Sequence, residues 1–164
     1  MTGTELLGRL REEEGLGGVR VEDVYATDIA DLWSAITEPR RLARWIGTVE
    51  GDLRLGGRFD AEFTSGWQGS GVVEICDAPR LLRVRTQRPG GEPTVMEAQL
   101  SEEGDATRLV IEERGLPLAD YADHGAGWQA HIEDLGAHIE GEEPGDWEQR
   151  WRELSTAYFA LIGR

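Results

Sequence analysis

Residues 124–139 read HGAGWQAHIEDLGAHI. Trp128, Ile132, Leu135 and Ile139 recur at helical spacing and fall on one stripe of the helix that this segment predicts. Most of the preceding chain consists of short segments with alternating apolar and polar residues, which is typical of antiparallel strands. A curved sheet of this kind needs an apolar element to close on. The segment 124–139 is the best candidate for that element.

Short alternating segments between residues 52 and 112 are separated by turns rich in glycine and proline, which predicts an antiparallel meander. A strand period of two assigns their residues to two faces. One predicted face is apolar and carries Phe59, Phe63, Val73, Ile75, Leu82, Val84, Met96, Leu109 and Ile111. The other is charged and carries Asp60, Glu62, Glu74, Arg83, Arg85, Glu97, Arg108 and Glu112. The helix 124–139 is expected to lie on the apolar face.

Residues 1–18 are expected to be a helical appendage. The segment 4–14, TELLGRLREEE, has Thr4 as a potential cap and a small apolar face made by Leu6, Leu7 and Leu10. Residues 19–140 are expected to form the main domain. It begins with a strand at 19–25 and two short helices separated by Pro39, which disfavours helical geometry at the residue before it.

Residues 141–164 predict an additional C-terminal helix, with Asp146 at its N-cap and Gln149 at the matching capping-box position. Its apolar stripe consists of Trp147, Trp151, Leu154 and Tyr158. Three interpretations of this stripe stay open. The helix packs over the same core, or it covers one mouth of the sheet. Alternatively, the stripe forms a homodimer surface, because two unpaired tryptophans would otherwise be exposed.

Length and composition limit the class of protein. The 164 residues suit one domain, and 32 acidic against 17 basic residues give a net charge of −15. This charge disfavours nucleic acid and anionic membranes as partners, because it repels phosphate. Cys76 is the only cysteine, so an intramolecular disulfide is excluded and a cytoplasmic location is expected. Neither a signal peptide nor an apolar stretch of the roughly 20 residues that span a bilayer is visible.

Five segments in a fixed order carry a resemblance to a known family. They are ADLWSAITEPRRLARWI at 30–46, DLRLGGRFDAEF at 52–63, GVVEICDAPRLLRVRTQ at 71–87, ATRLVIEERGL at 106–116, and Gly127-Trp128. Together they resemble the START-like, helix-grip superfamily called SRPBCC. Within it, they resemble the homologues of the activator of the heat-shock protein 90 ATPase. The two terminal segments resemble a bacterial subgroup of that family.

The resemblance implies an α+β helix-grip fold, in which a curved antiparallel sheet wraps around a long C-terminal helix. Relatives in the superfamily bind lipids, hormones or polyketides between sheet and helix, and a few catalyse cyclisation or dehydration there. The residues expected to line such a cavity are Trp45, Phe59, Phe63, Trp67, Val73, Leu82, Val84, Met96, Trp128, His131, Ile132 and Leu135. The same residue types would also make a filled core, so both alternatives stay open.

The titratable candidates for a site are few. His124, His131 and His138 are seven residues apart, about 10.5 Å along a helix, which is too far for one metal ion. No metal or cofactor is therefore expected. His131 is a weak candidate for a hydrogen-bonding group or general base in the cavity. Cys76 is expected to be an inert filler, because the neighbouring Asp77 works against a reactive thiolate.

Three functional hypotheses follow. The leading one is a non-enzymatic protein that binds a small hydrophobic ligand between the sheet and the long helix. The second is an enzyme of the cyclase or dehydratase type with His131 as its base. The third is a stress-related or co-chaperone-like interaction module that uses the C-terminal helix. Fold alone does not decide among them.

Overall fold

The computed structural model describes residues 5–162, so the potential cap Thr4 lies outside the described residues. Its strands are β1 (Gly8–Glu13), β2 (Leu16–Tyr25), β3 (Gly47–Gly51), β4 (Arg58–Phe63), β5 (Gln68–Asp77), β6 (Leu81–Gln87), β7 (Thr94–Glu103) and β8 (Ala106–Leu116). They form one sheet in the order β1-β2-β8-β7-β6-β5-β4-β3. All neighbouring strands whose register is described run antiparallel.

The helices are α1 (Ile29–Thr37), α2 (Pro39–Leu42), α3 (Tyr121–Ile139) and α4 (Trp147–Phe159). The Asp28 carboxylate caps α1 by accepting a hydrogen bond from the backbone N–H of Asp31. Pro39 begins α2, where its missing N–H needs no partner. Within residues 5–162, none of the helices combines the length and the apolar character that crossing a bilayer requires.

Helix α3 packs on the apolar face of the sheet, and the predicted helix-grip fold is confirmed. Ile132 and Leu135 are buried in the same core cluster as Val21, Leu109 and Ile111 from the central strands β2 and β8. The Tyr25 hydroxyl of β2 donates a hydrogen bond to the carbonyl of Ile132 at 2.8 Å. These contacts fix α3 against the middle of the sheet. The N-terminal half of the helix, which carries Trp128, lies near strands β6 to β8.

The N-terminal helix predicted for residues 4–14 is wrong in the part that the structure describes. Residues 8–13 form strand β1, which pairs with β2 from Gly8 opposite Val21 to Glu13 opposite Leu16. Glu14 and Gly15 connect the two strands, both with positive φ (53° and 80°), as a two-residue type I′ hairpin turn requires. The edge of β2 was available for pairing, so sheet formation prevailed over the local helical pattern.

The prediction that Ile75 lies on the apolar face of the sheet is also wrong. The register of β5 against β6 shifts between Val73, which lies opposite Val84, and Ile75, which lies opposite Arg83. This irregularity moves Ile75 to the charged face and places Cys76 opposite Leu82 on the apolar face. Cys76 accordingly packs against the core. One extra residue in a strand exchanges the faces of all residues that follow it.

The second half of helix α4 packs on the side of α3 that faces away from Trp128. Leu154 and Tyr158 are fully buried there, in a small cluster with Ala122, Ala126 and Ala130. Asp146 caps the helix by accepting from the backbone N–H of Gln149 at 3.1 Å. Because Leu154 and Tyr158 are covered within the chain, this packing leaves them unavailable for a homodimer contact.

Candidate functional site

A cavity of about 690 Å³ lies between the inner face of the sheet and α3. This volume is within the range of small-molecule sites in proteins. Nine of the twelve residues predicted to line it do so, namely Trp45, Phe59, Phe63, Trp67, Leu82, Val84, Met96, Trp128 and His131. They come from strands β4, β6 and β7, from the segments after α2 and β4, and from α3. The sequence left open whether the space between sheet and helix is filled or empty. In the structure, it is open along the N-terminal half of α3, which carries Trp128.

The other three predicted residues belong to the filled part of the core. Val73, Ile132 and Leu135 are at most 1% exposed and do not border the cavity. Ile132 and Leu135 lie on the stretch of α3 that the Tyr25 hydrogen bond holds against β2. The apolar stripe of α3 therefore serves two purposes, because one part fills the core and the other borders open space.

Glu113 is the most unusual group in the cavity wall, and the sequence analysis missed it. It lies on β8 opposite Met96, on the apolar face of the sheet, and it is only 6% exposed. Alternation identifies it, because Leu109 and Ile111 precede it at intervals of two. The alternation predicted for this strand ended at Glu112, one residue before Glu113.

Three donors hold the Glu113 carboxylate. Its Oε1 accepts hydrogen bonds from the Trp128 indole Nε1–H at 2.8 Å and from His124 Nδ1 at 3.1 Å. Its Oε2 accepts from the Thr94 hydroxyl at 2.9 Å. The His124 nitrogen must be the donor, because an ionised carboxylate only accepts. Two residues of α3 are thus bonded to one buried carboxylate of the sheet, which fixes the helix at the cavity.

The surroundings shift the pKa values of Glu113 and His124 in opposite directions. Burial acts to raise the pKa of Glu113, but hydrogen bonding to His124 and its charge, and then Trp128 and Thr94, lower it below its ordinary value. Burial acts to lower the pKa of His124, but the hydrogen bond and charge of Glu113 raise it above its ordinary value. Each group therefore favours the charged form of the other, and the carboxylate is ionised at neutral pH.

His131 lies in the cavity wall as predicted, but its surroundings are aromatic. Its ring centroid is 5.1 Å from that of Trp147, 5.9 Å from that of Phe63 and 6.0 Å from that of Trp128. Burial lowers the pKa of His131 to about 3, against a weaker opposing effect of the Trp45 backbone. The imidazole is neutral at pH 7 and only a weak base, which argues against it as a general base.

His138 belongs to neither group. Its Nε2 accepts a hydrogen bond from Arg41 Nε at 3.1 Å. Burial, and then the charges of Arg41 and Arg44, lower its pKa. The three evenly spaced histidines of α3 thus have separate environments: one is paired with a carboxylate, one is packed among aromatic rings, and one accepts from an arginine.

The first turns of α4 also border the cavity, a contribution that the sequence analysis left open. Trp147 and Trp151 line it, with nearly parallel rings at a centroid distance of 6.4 Å. The Trp151 indole N–H donates to the carbonyl of Asp123 at 3.1 Å, which ties α4 to the start of α3. The tryptophan stripe is therefore divided, because its first half faces the cavity and its second half is buried against α3.

Comparison with known proteins places the chain in a family. The model of the family described as "Activator of Hsp90 ATPase homolog 1-like protein" (AHSA1) matches residues 26–140. The chain belongs to this family. The resemblance inferred from the five sequence segments is confirmed. Strands β1 and β2 and helix α4 lie outside the part of this AHSA1-family chain that the family model matches.

Solved structures extend the comparison. The crystal structure of CalU16 from Micromonospora echinospora is 28% identical, with a TM-score of 0.80, and the match covers 98% of both chains. DynU16, from the dynemicin biosynthetic locus, is 25% identical with a TM-score of 0.71, over 77% of this chain and 48% of DynU16. PFC0360w, an HSP90 activator from Plasmodium falciparum, shares the fold at 18% identity and a TM-score of 0.64, over 76% and 96% of the chains. No curated protein matches the sequence significantly.

Proposed function

We propose that this AHSA1-family protein binds a small, mainly hydrophobic molecule in the cavity between the sheet and α3. The observation that carries the proposal is the cavity itself, which has a volume of about 690 Å³ and a wall dominated by aromatic and aliphatic side chains. Native cores are packed with few voids larger than a water molecule, so an apolar space of this size suits a ligand. The single cysteine favours a cytoplasmic place of action.

One relative favours a ligand over a chaperone partner, because DynU16 belongs to the dynemicin biosynthetic locus. The similarity to the HSP90 activator of Plasmodium falciparum is weaker and concerns the fold. The interaction-module hypothesis relies on the Trp147 and Trp151 face of α4, and both rings line the cavity, where a ligand would compete with a partner protein for them.

The test uses N-phenyl-1-naphthylamine, a neutral probe that fluoresces strongly in apolar surroundings. We expect saturable fluorescence enhancement, and native mass spectrometry should show one probe molecule per chain. Met96→Trp places an indole in the cavity and should weaken probe binding at least roughly tenfold, equivalent to about 1.4 kcal/mol.

Gln99→Trp is the matched control. Residue 99 is exposed on the outer face of β7, the same strand that carries Met96 on its inner face. This variant should bind the probe as the wild type does. No enhancement with the wild type, or equal loss of binding in both variants, would refute the proposal.

A further inference from the structure

We propose that Glu113 and His124 form a polar subsite that selects neutral aromatic ligands carrying a hydroxyl donor and discriminates against carboxylates. The inference rests on the proposed function, since it concerns the chemistry of the ligand that the cavity holds. Glu113 is an acid buried on the apolar face of the sheet. Burying a carboxylate is costly unless hydrogen bonds compensate for its lost hydration, so an apolar side chain would make a simpler wall.

The Glu113 carboxylate keeps capacity for one more donor. Its two oxygens offer about four acceptor positions. The described residues use three of them, two on Oε1 and one on Oε2. The Thr94 hydroxyl donates its proton to Oε2. In its hydrogen bond with the Thr86 hydroxyl, at 3.1 Å, Thr86 is therefore the donor and Thr94 the acceptor. Since Glu113 and Thr86 both line the cavity, the free position on Oε2 is available to a ligand hydroxyl there.

The charges at the cavity disfavour an acid as ligand. Glu113, Asp123 and Glu148 line it, opposed by the exposed Arg88 and by His124, whose Nδ1–H is already directed at Glu113. The chain as a whole carries a charge of −15. A second carboxylate beside Glu113 would face like charge in a poorly hydrated space, whereas a neutral hydroxyl would gain a charge-assisted hydrogen bond.

The rings of the wall favour a flat ligand. Trp67 stacks on Phe63 at a centroid distance of 5.0 Å. The row of rings extends from Phe63 to His131 at 5.9 Å and from His131 to Trp147 at 5.1 Å. Such a row presents ring faces and edges to the cavity, with which an aromatic molecule makes offset-stacked or edge contacts. The hydroxyl and the rings together specify a phenol-like ligand.

The experiment compares three probes of the same ring system by isothermal titration calorimetry: 2-naphthol, 2-methoxynaphthalene and 2-naphthoate. We expect 2-naphthol to bind the wild type roughly tenfold or more tightly than its methyl ether, which lacks the donor. We expect 2-naphthoate to bind weakest. In Glu113→Gln, the advantage of 2-naphthol over the ether should fall below about threefold, and 2-naphthoate should gain affinity.

Glu112→Gln is the control. Glu112 immediately precedes Glu113 in β8 and lies on the opposite face of the sheet, near Arg20. It should leave the order of the three probes unchanged. Equal affinities of the wild type for all three probes would overturn the subsite while leaving the cavity a binding site. This wild-type series decides the matter even if Glu113→Gln fails to fold. Failure of every probe, including N-phenyl-1-naphthylamine, would overturn the proposed function and the subsite together.

Discussion

The two sides of helix α3 are packed in opposite ways. On one side, Ala122, Ala126 and Ala130 meet Leu154 and Tyr158 of α4, and none of the five is more than 6% exposed. On the other side, Trp128 and His131 border a cavity of about 690 Å³. The side with the small residues is filled, and the part of the other side that carries the large rings is open.

Side-chain size explains this difference. A Cβ added to Gly125 would lie 2.6 Å from Cδ1 of Tyr158, so α3 and α4 touch as closely as the glycine permits. On the opposite side, the Trp128 indole N–H donates a hydrogen bond to Glu113. This bond keeps α3 and β8 apart by the length of a tryptophan side chain. Small residues bring elements together, whereas a rigid ring fixed by a hydrogen bond separates them and preserves the space between.

The largest expected effect concerns the filled side. Leu154→Ala should destabilise the protein by about 2–5 kcal/mol, because Leu154 is fully buried and its removal leaves a new void. Met96→Ala on the cavity side should lose only about 1 kcal/mol, because Met96 is half-buried and already borders open space. Urea unfolding of both variants measures the difference. Equal losses would mean that the two sides are packed alike.

The second effect concerns the acid sensitivity of the cavity side. An unfolded histidine takes up a proton near its ordinary pKa of about 6.5, whereas the folded pKa of His131 is about 3. Between these two pKa values, residue 131 binds more protons in the unfolded state than in the folded state. Its contribution to the free energy of unfolding is therefore fully present above pH 6.5 and is lost as the pH falls. At pH 5 this group alone should lower the free energy of unfolding by about 2 kcal/mol.

His131→Phe removes this titration while keeping a ring among Phe63, Trp128 and Trp147. The variant should therefore lose less stability than the wild type between pH 8 and pH 5, as measured by urea unfolding at both values. The carboxylates and His124 titrate in both proteins, so the difference isolates residue 131. Parallel pH profiles would show that the imidazole is not buried in the neutral form.

The smallest expected effect concerns the hydrogen bond that holds the cavity side apart. Trp128→Phe deletes the indole donor to Glu113 and should lower the free energy of unfolding by about 1 kcal/mol beyond the loss of ring area. Trp33→Phe is the control, because Trp33 is also half-buried against the core but has no carboxylate partner among the described residues. Identical losses in the two variants, measured by urea unfolding, would show that the bond adds nothing.

Much of the site could be predicted, and its gaps have identifiable causes. Alternation along β4, β6 and β7 placed Phe59, Leu82 and Met96 on the inner face because period two is a local property of a strand. The same rule failed at Ile75, where the register shifts, and it was not carried far enough along β8 to reach Glu113. The hairpin of β1 and β2 was missed because a strand at an edge depends on its partner more than on its own pattern.

By itself, the sequence determined the order of elements from β2 to α4, the apolar stripe of α3 and the family, because helical and strand periods and short motifs are written in neighbouring residues. Only the tertiary structure decided where that stripe is filled and where it borders open space. The distance between α3 and the sheet depends on the sizes and bonds of residues far apart in the chain, such as Trp128 with Glu113 and Gly125 with Tyr158. That distance is a property of the packed elements together.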